Sequence, residues 1–61
     1  MQMTIRERGY QALSIAVACQ RTGIGMDRVM EYAKRAQAYA HAAGDKTTED
    51  YAIMIQMGAR L

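Results

Sequence analysis

MDRVMEYAKRAQAYAHAAG, residues 26–44, is the stretch of this 61-residue sequence that decides its fold class. Apolar residues recur in it at alternating spacings of three and four, which is the periodicity of one helix face. The stripe consists of Val29, Tyr32, Ala36, Tyr39 and Ala43, with Ala33 and Ala40 beside it. The pattern predicts a helix over residues 26–43, with Gly44 as its stop signal. Because alanine removes side-chain bulk, another helix can approach this stripe closely, with Tyr32 and Tyr39 bracing it.

Upstream of this stretch, a second helical segment begins at the capping motif Thr4-Ile5-Arg6-Glu7. In such a box the threonine caps the helix and the glutamate three residues later reaches back to the cap. The segment runs over residues 4–21 and is broken by Thr22-Gly23-Ile24-Gly25. Its predicted apolar face consists of Ile5, Ala12, Leu13, Ala16 and Cys19, widened by Ile15 and Val17.

Downstream, residues 48–60 form the third predicted helix, capped by Thr47 or Thr48 and carrying Glu49 and Asp50 in its first turn. Its apolar residues lie nearly all round the axis, so two short helices cannot cover every side. We expect Tyr51 and Ile55 to face the core of the chain. Alternation over residues 51–57 also fits a strand, but a lone strand would have no partner here.

Together these segments predict an all-α fold, a small three-helix protein with helices at about 4–21, 26–43 and 48–60. A chain of 61 residues forms one domain, residues 1–61, whose single core is only marginally sufficient. Hydrophobic residues make up 51% and charged residues 23%, which is typical of a globular domain that folds. We therefore expect oligomerisation to complete the core.

The composition also excludes several kinds of protein. One cysteine, Cys19, and one histidine, His41, cannot supply a zinc site, so we expect no metal and no other cofactor. Apolar runs are far shorter than the roughly 20 residues that cross a bilayer, and the N-terminus lacks the apolar region of an export signal. These features favour a cytoplasmic protein without membrane contact.

Nucleic acid is not an expected partner either. The net charge is +2, but the eight basic residues are dispersed along the chain and interleaved with acids. A small nucleic-acid binder usually concentrates Lys and Arg on one element. The third helix would also repel phosphates, because it begins Thr48-Glu49-Asp50.

Candidate chemical groups are few, and we expect no enzyme activity. His41 is interpreted as a solvated surface histidine and Cys19 as a small buried hydrophobe. The Thr22–Gly25 segment could present backbone amides to an anion, although its spacing matches no phosphate-binding motif. Arg21 and Arg28 flank that segment and are the candidate anion contacts.

The sequence thus favours a small helical homo-oligomer that acts as an interaction or inhibitory module on a larger protein partner. Its size is typical of accessory proteins of phages and other mobile elements, an association that rests on size alone. The predicted interface consists of Tyr51, Ile53, Met54, Met57, Tyr32, Ala36 and Tyr39. The alternative is an oligomeric binder of a small anionic ligand, for example a nucleotide, at a subunit interface, and the lesser alternative is a nucleic-acid-binding regulator. Core filling, including a core completed by a second subunit, is the favoured role of the methionines, and a pliable binding surface is the other.

Overall fold

The computed structural model describes residues 2–23 and 25–61 and contains three helices within them. These are α1 (Ile5–Thr22), α2 (Met26–Ala43) and α3 (Lys46–Gln56), with no strand in the described parts of the chain. The predicted all-α, three-helix fold is confirmed, and the strand alternative for residues 51–57 is wrong. None of the described helices has the length and apolar character needed to cross a membrane.

The N-terminus of α1 has the predicted capping box. The Glu7 backbone N–H donates to the Thr4 hydroxyl at 3.1 Å, and the Thr4 backbone N–H donates to the Glu7 carboxylate at 2.9 Å. Gly23 and Gly44 end α1 and α2 in the left-handed region, at φ 74° and 71°. Both stops agree with the prediction, because glycine enters this region without the steric cost that other residues incur.

The third helix differs from its predicted bounds at both ends. It begins at Lys46, three residues after α2, with Asp45 and not Thr47 or Thr48 as its cap. The Asp45 carboxylate accepts from the Thr48 hydroxyl at 2.7 Å and from the Thr48 backbone N–H at 3.3 Å. Thr48 is instead a buried residue of the first turn. A charged carboxylate is the stronger acceptor, so it takes the cap position.

At its other end α3 stops at Gln56, four residues before the predicted end. Gly58 turns the backbone at φ 95°, and the following residues run beside the C-terminal end of α1. The Gln20 side chain holds this tail, because its amide donates to the Ala59 carbonyl at 2.8 Å and its oxygen accepts from the Leu61 backbone N–H at 3.3 Å. Leu61 packs against the core.

The three helices pack with α2 in the middle, since it contacts both neighbours extensively while α1 and α3 touch at few points. Among the described residues, the core contains ten buried apolar residues, six of them alanines. They are Ala12, Leu13, Ala16, Cys19, Val29, Ala33, Ala36, Ala40, Ala52 and Ile55. A core of this composition is thin, because each alanine buries little apolar surface.

The predicted stripe on α2 is displaced around the helix axis. Its buried residues are Val29, Ala33, Ala36 and Ala40. Tyr32, Tyr39 and Ala43 are half-buried at its edge, where Tyr32 packs against the core, so the tyrosines flank the seam and do not form its centre. The physical reason is size, because two helices whose contact surface is alanine come too close for a tyrosine ring to fit between them.

The close approach of α1 and α2 depends on Gly9. This glycine lies inside α1, away from any turn or helix end. A Cβ atom at Gly9 would lie 3.2 Å from the Ala40 backbone nitrogen and 3.3 Å from the Tyr39 Cβ. Gly9 is therefore a packing residue inside α1. Ile5, which the periodicity placed on the same face, is 50% exposed. That part of the predicted face is wrong, since buried residues of α1 begin only at Gly9.

Acid is expected to destabilise the fold through its two helix caps. Hydrogen bonds from the Thr48 hydroxyl and then its backbone N–H hold the pKa of Asp45 below its ordinary value of 3.8. Hydrogen bonds from the Thr4 backbone and then its side chain hold the pKa of Glu7 below 4.5. A lowered native pKa contributes stability above the ordinary pKa, and this stability is lost as the pH falls through the native value.

The measurement is thermal unfolding at about pH 6 and about pH 3, where we expect the melting temperature to fall. Asp45→Asn keeps an oxygen acceptor but removes the titrating carboxyl. Its melting temperature should therefore fall less than that of the parent chain over the same interval. An equal fall in both proteins would contradict a role for the Asp45 cap.

Candidate interaction surfaces

The outer face of α3 presents large apolar side chains. Thr48, Ala52 and Ile55 form its buried side. Tyr51, Met54 and Met57 point away from it and are 44%, 42% and 81% exposed. The expectation that Tyr51 faces the core is wrong, because Thr48, Ala52 and Ile55 form the buried side of α3 and Tyr51 lies away from it. We call Tyr51, Met54 and Met57 the α3 outer surface.

Two polar contacts set the orientation of α3 on α2. The Gln56 amide donates to the Gln37 side-chain oxygen at 2.7 Å. One turn further along, Nδ1 of His41 lies 2.9 Å from Oε2 of Glu49. Both pairs lie along one side of the helix contact, with Ala52 on the buried side. Ile53, one of the predicted interface residues, is half-buried in its position between this contact and the α3 outer surface.

His41 is exposed, as its sequence position predicts, but it also has a carboxylate partner that sequence reasoning missed. The two residues are eight apart on different helices, so no spacing rule for a single helix connects them. His41 and Glu49 also line a surface depression together with Lys34, Gln37 and Ala38. The contact joins α2 to α3 at the solvent surface.

The predicted interface residues on α2 differ in how far the structure buries them. Ala36 is fully buried against α1 inside the chain, which leaves it no surface for another subunit. Its placement at an interface is therefore wrong, since α1 itself makes the close approach that the alanine stripe predicts. Tyr32 and Tyr39 are half-buried and remain accessible at the edge of the α1–α2 contact.

The methionines do not fill the core of the chain. Met3, Met26, Met54 and Met57 are exposed and Met30 is half-buried, while Met1 lies outside the described residues. Core filling within one chain is therefore the wrong interpretation of the five described methionines. Cys19, in contrast, is buried among the core residues of α1, as expected of a small hydrophobe.

The described residues show no defined anion-binding site around the candidate contacts Arg21 and Arg28. The proposed loop includes Ile24, which lies outside the described residues. The Arg21 guanidinium donates to the Leu61 carbonyl at 3.3 Å, so it points towards the C-terminal tail. Arg28 is exposed near the start of α2. Their role as anion contacts remains a prediction.

A depression between α1 and α2 is a feature that sequence reasoning missed. It has a volume of about 170 Å³, and the polar side chains that line it include Arg8, Gln11, Tyr32, Arg35 and Tyr39. The Arg35 guanidinium lies over the Tyr32 ring, 5.3 Å from its centroid. The two arginines belong to different helices, so only the helix pairing brings them together.

Comparison with known proteins finds no matching family model and no significant match among curated proteins or solved structures.

Proposed function

We propose that this chain is a protein-interaction module that binds through the α3 outer surface. The observation that carries the proposal is the exposure of Tyr51 and Met54 on α3 and of Met57 at its C-terminal cap. Tyrosine and methionine are enriched at protein interfaces, where tyrosine combines a large apolar ring with a polar tip and methionine adapts its shape to the partner. Exposed apolar side chains gain free energy when a partner removes them from water.

A second copy of the chain is the first partner that we propose. Six of the ten apolar core residues are alanines, so the folded chain buries little apolar surface for its length. A domain of this size often needs disulfide bonds, a structural metal or a partner chain to be stable. Association through the α3 outer surface would add the burial of three large side chains to each copy. A larger protein would then bind to a surface built from more than one copy.

The test replaces Met54 and Met57 together by lysine. Both side chains are exposed, and a positive charge suits the C-terminal end of α3, so the helix itself should persist. Light scattering coupled to size exclusion should show an oligomer for the parent chain and a species of 6.8 kDa for the double variant. The reason is that association would have to desolvate two ammonium groups.

The matched control is Met26→Lys, which places one lysine at a methionine of α2 that is 66% exposed. It should keep the oligomeric mass of the parent chain. Circular dichroism on all three proteins reports whether helicity survives. A parent chain that is already a monomer at micromolar concentration would contradict self-association, and an oligomeric double variant would contradict the assignment of the surface.

A further inference from the structure

We infer that the depression between α1 and α2 is a binding site for a small organic anion with a single planar ring, such as an aromatic carboxylate. We call it the Arg–Tyr pocket and define it by Arg8, Gln11, Ile15, Tyr32, Arg35 and Tyr39. It is formed within one chain and is separate from the α3 outer surface. The inference therefore stands independently of the proposed protein interaction.

The charge of the pocket selects an anion. Arg8 of α1 and Arg35 of α2 contribute two guanidinium groups, and none of the described side chains lining it carries a carboxylate. A planar guanidinium can donate two parallel hydrogen bonds to a carboxylate, which a lysine cannot do. The Gln11 amide and the two tyrosine hydroxyls are further donors on the same walls.

Arg35 already has one partner, Glu31, at 3.3 Å. This ion pair joins residues four apart on α2, and both side chains are about half exposed. Pairs of this kind are weak because water screens them and the long side chains must be held in place. A bound anion can therefore replace Glu31, or share the guanidinium with it. Glu31 thus competes with the ligand that we propose.

The size and the walls of the pocket suit a single ring. A cavity of about 150 Å³ holds one benzene molecule, so a depression of about 170 Å³ has room for a ring of that size. Ile15 provides apolar surface, and the Tyr32 ring, with Arg35 over it at 5.3 Å, provides an aromatic wall. Aromatic rings favour offset or edge-to-face contact with a second ring. A ring that bears a carboxylate can therefore use both the aromatic wall and the guanidinium groups.

The helix packing holds these walls in place before any ligand binds. Tyr32 and Tyr39 lie one heptad apart at the edge of α2, half-buried beside the alanines that contact α1. The Cβ of Tyr39 lies in the tight contact with Gly9. Side chains held by packing lose less freedom on binding, which favours affinity.

The test titrates benzoate into the intact protein and follows the amide and tyrosine resonances by NMR. We expect shifts at residues of the Arg–Tyr pocket that saturate, and no saturating shifts there with benzyl alcohol, which has the ring without the charge. Inorganic phosphate, which has the charge without the ring, should bind more weakly than benzoate. Phosphate binding as tight as benzoate binding, or no shifts with benzoate, would overturn the inference.

Three variants locate the site. Arg8→Gln and Arg35→Gln should each weaken benzoate binding by about tenfold or more, because each removes a charge-assisted hydrogen bond. Glu31→Gln should strengthen binding, since it releases Arg35 from its competitor. Lys34→Gln is the matched control, because it removes an exposed positive charge of α2 that does not line the pocket, and it should leave the affinity unchanged. All four side chains are exposed, so the spectra should show a retained fold. Equal losses in Lys34→Gln and Arg35→Gln would overturn the site.

Discussion

Replacing Ile55 by alanine is expected to lower the free energy of unfolding by about 2–5 kcal/mol. Ile55 is 1% exposed and, with Val29, is one of the two largest side chains that the chain buries completely. Around it the core consists mainly of alanines, which cannot expand into the space that a truncated side chain leaves. A single core of this size rarely contributes more than about 3–5 kcal/mol, so the loss removes most of the stability.

Urea unfolding followed by circular dichroism measures this effect. The matched control is Ile5→Ala, which makes the same chemical change at a position that is 50% exposed. We expect the control to stay within about 0.5 kcal/mol of the parent, as surface substitutions usually do. Equal effects at the two positions would mean that Ile55 does not occupy the core.

Replacing Ala36 by leucine is expected to cost about 1–3 kcal/mol through overpacking. Ala36 is fully buried where α2 meets α1, and its carbonyl oxygen lies 3.6 Å from the position of a Cβ on Gly9. A leucine there would force the two helices apart along the contact that Ala33 and Ala40 also make. The cost arises although leucine is more hydrophobic than alanine, because the space is already filled.

The control is Ala38→Leu, which adds the same atoms to an exposed position of α2 only two residues away. Thermal unfolding of both variants gives the comparison. The melting temperature should fall for Ala36→Leu and change little for Ala38→Leu. If Ala36→Leu leaves the melting temperature unchanged, the α1–α2 contact is looser than the geometry at Gly9 indicates.

The helix ends show what short-range information in the sequence can decide. The Thr4–Glu7 capping box and the glycine stops at Gly23 and Gly44 were all predicted, and the structure has each of them. These features involve residues three or four apart, so their energies depend on the local sequence alone. The cap of α3 was predicted wrongly, as Thr47 or Thr48. Asp45 takes that position because its carboxylate is the stronger acceptor, and Thr48 is buried in the first turn.

The candidate sites show which features short-range sequence information does not determine. Periodicity correctly predicted that α2 carries an alanine-rich packing face, but it placed the tyrosines on that face. It also missed Gly9, the residue that lets α1 approach α2. Neither error could be corrected from the spacing of residues within one helix, because the rotation of each helix depends on the shape of its neighbour.

By itself, the sequence determined that the chain forms three helices, where the first two begin and end, and that its core would be small. Local hydrogen bonds and the 3.6-residue periodicity are sufficient for these features. Tertiary structure decided which side of α3 stays outside, that the tail returns to Gln20, and that Arg8 and Arg35 share one pocket. These features join residues that are distant in sequence, and the close packing of alanine surfaces selects the one arrangement of the helices in which they meet.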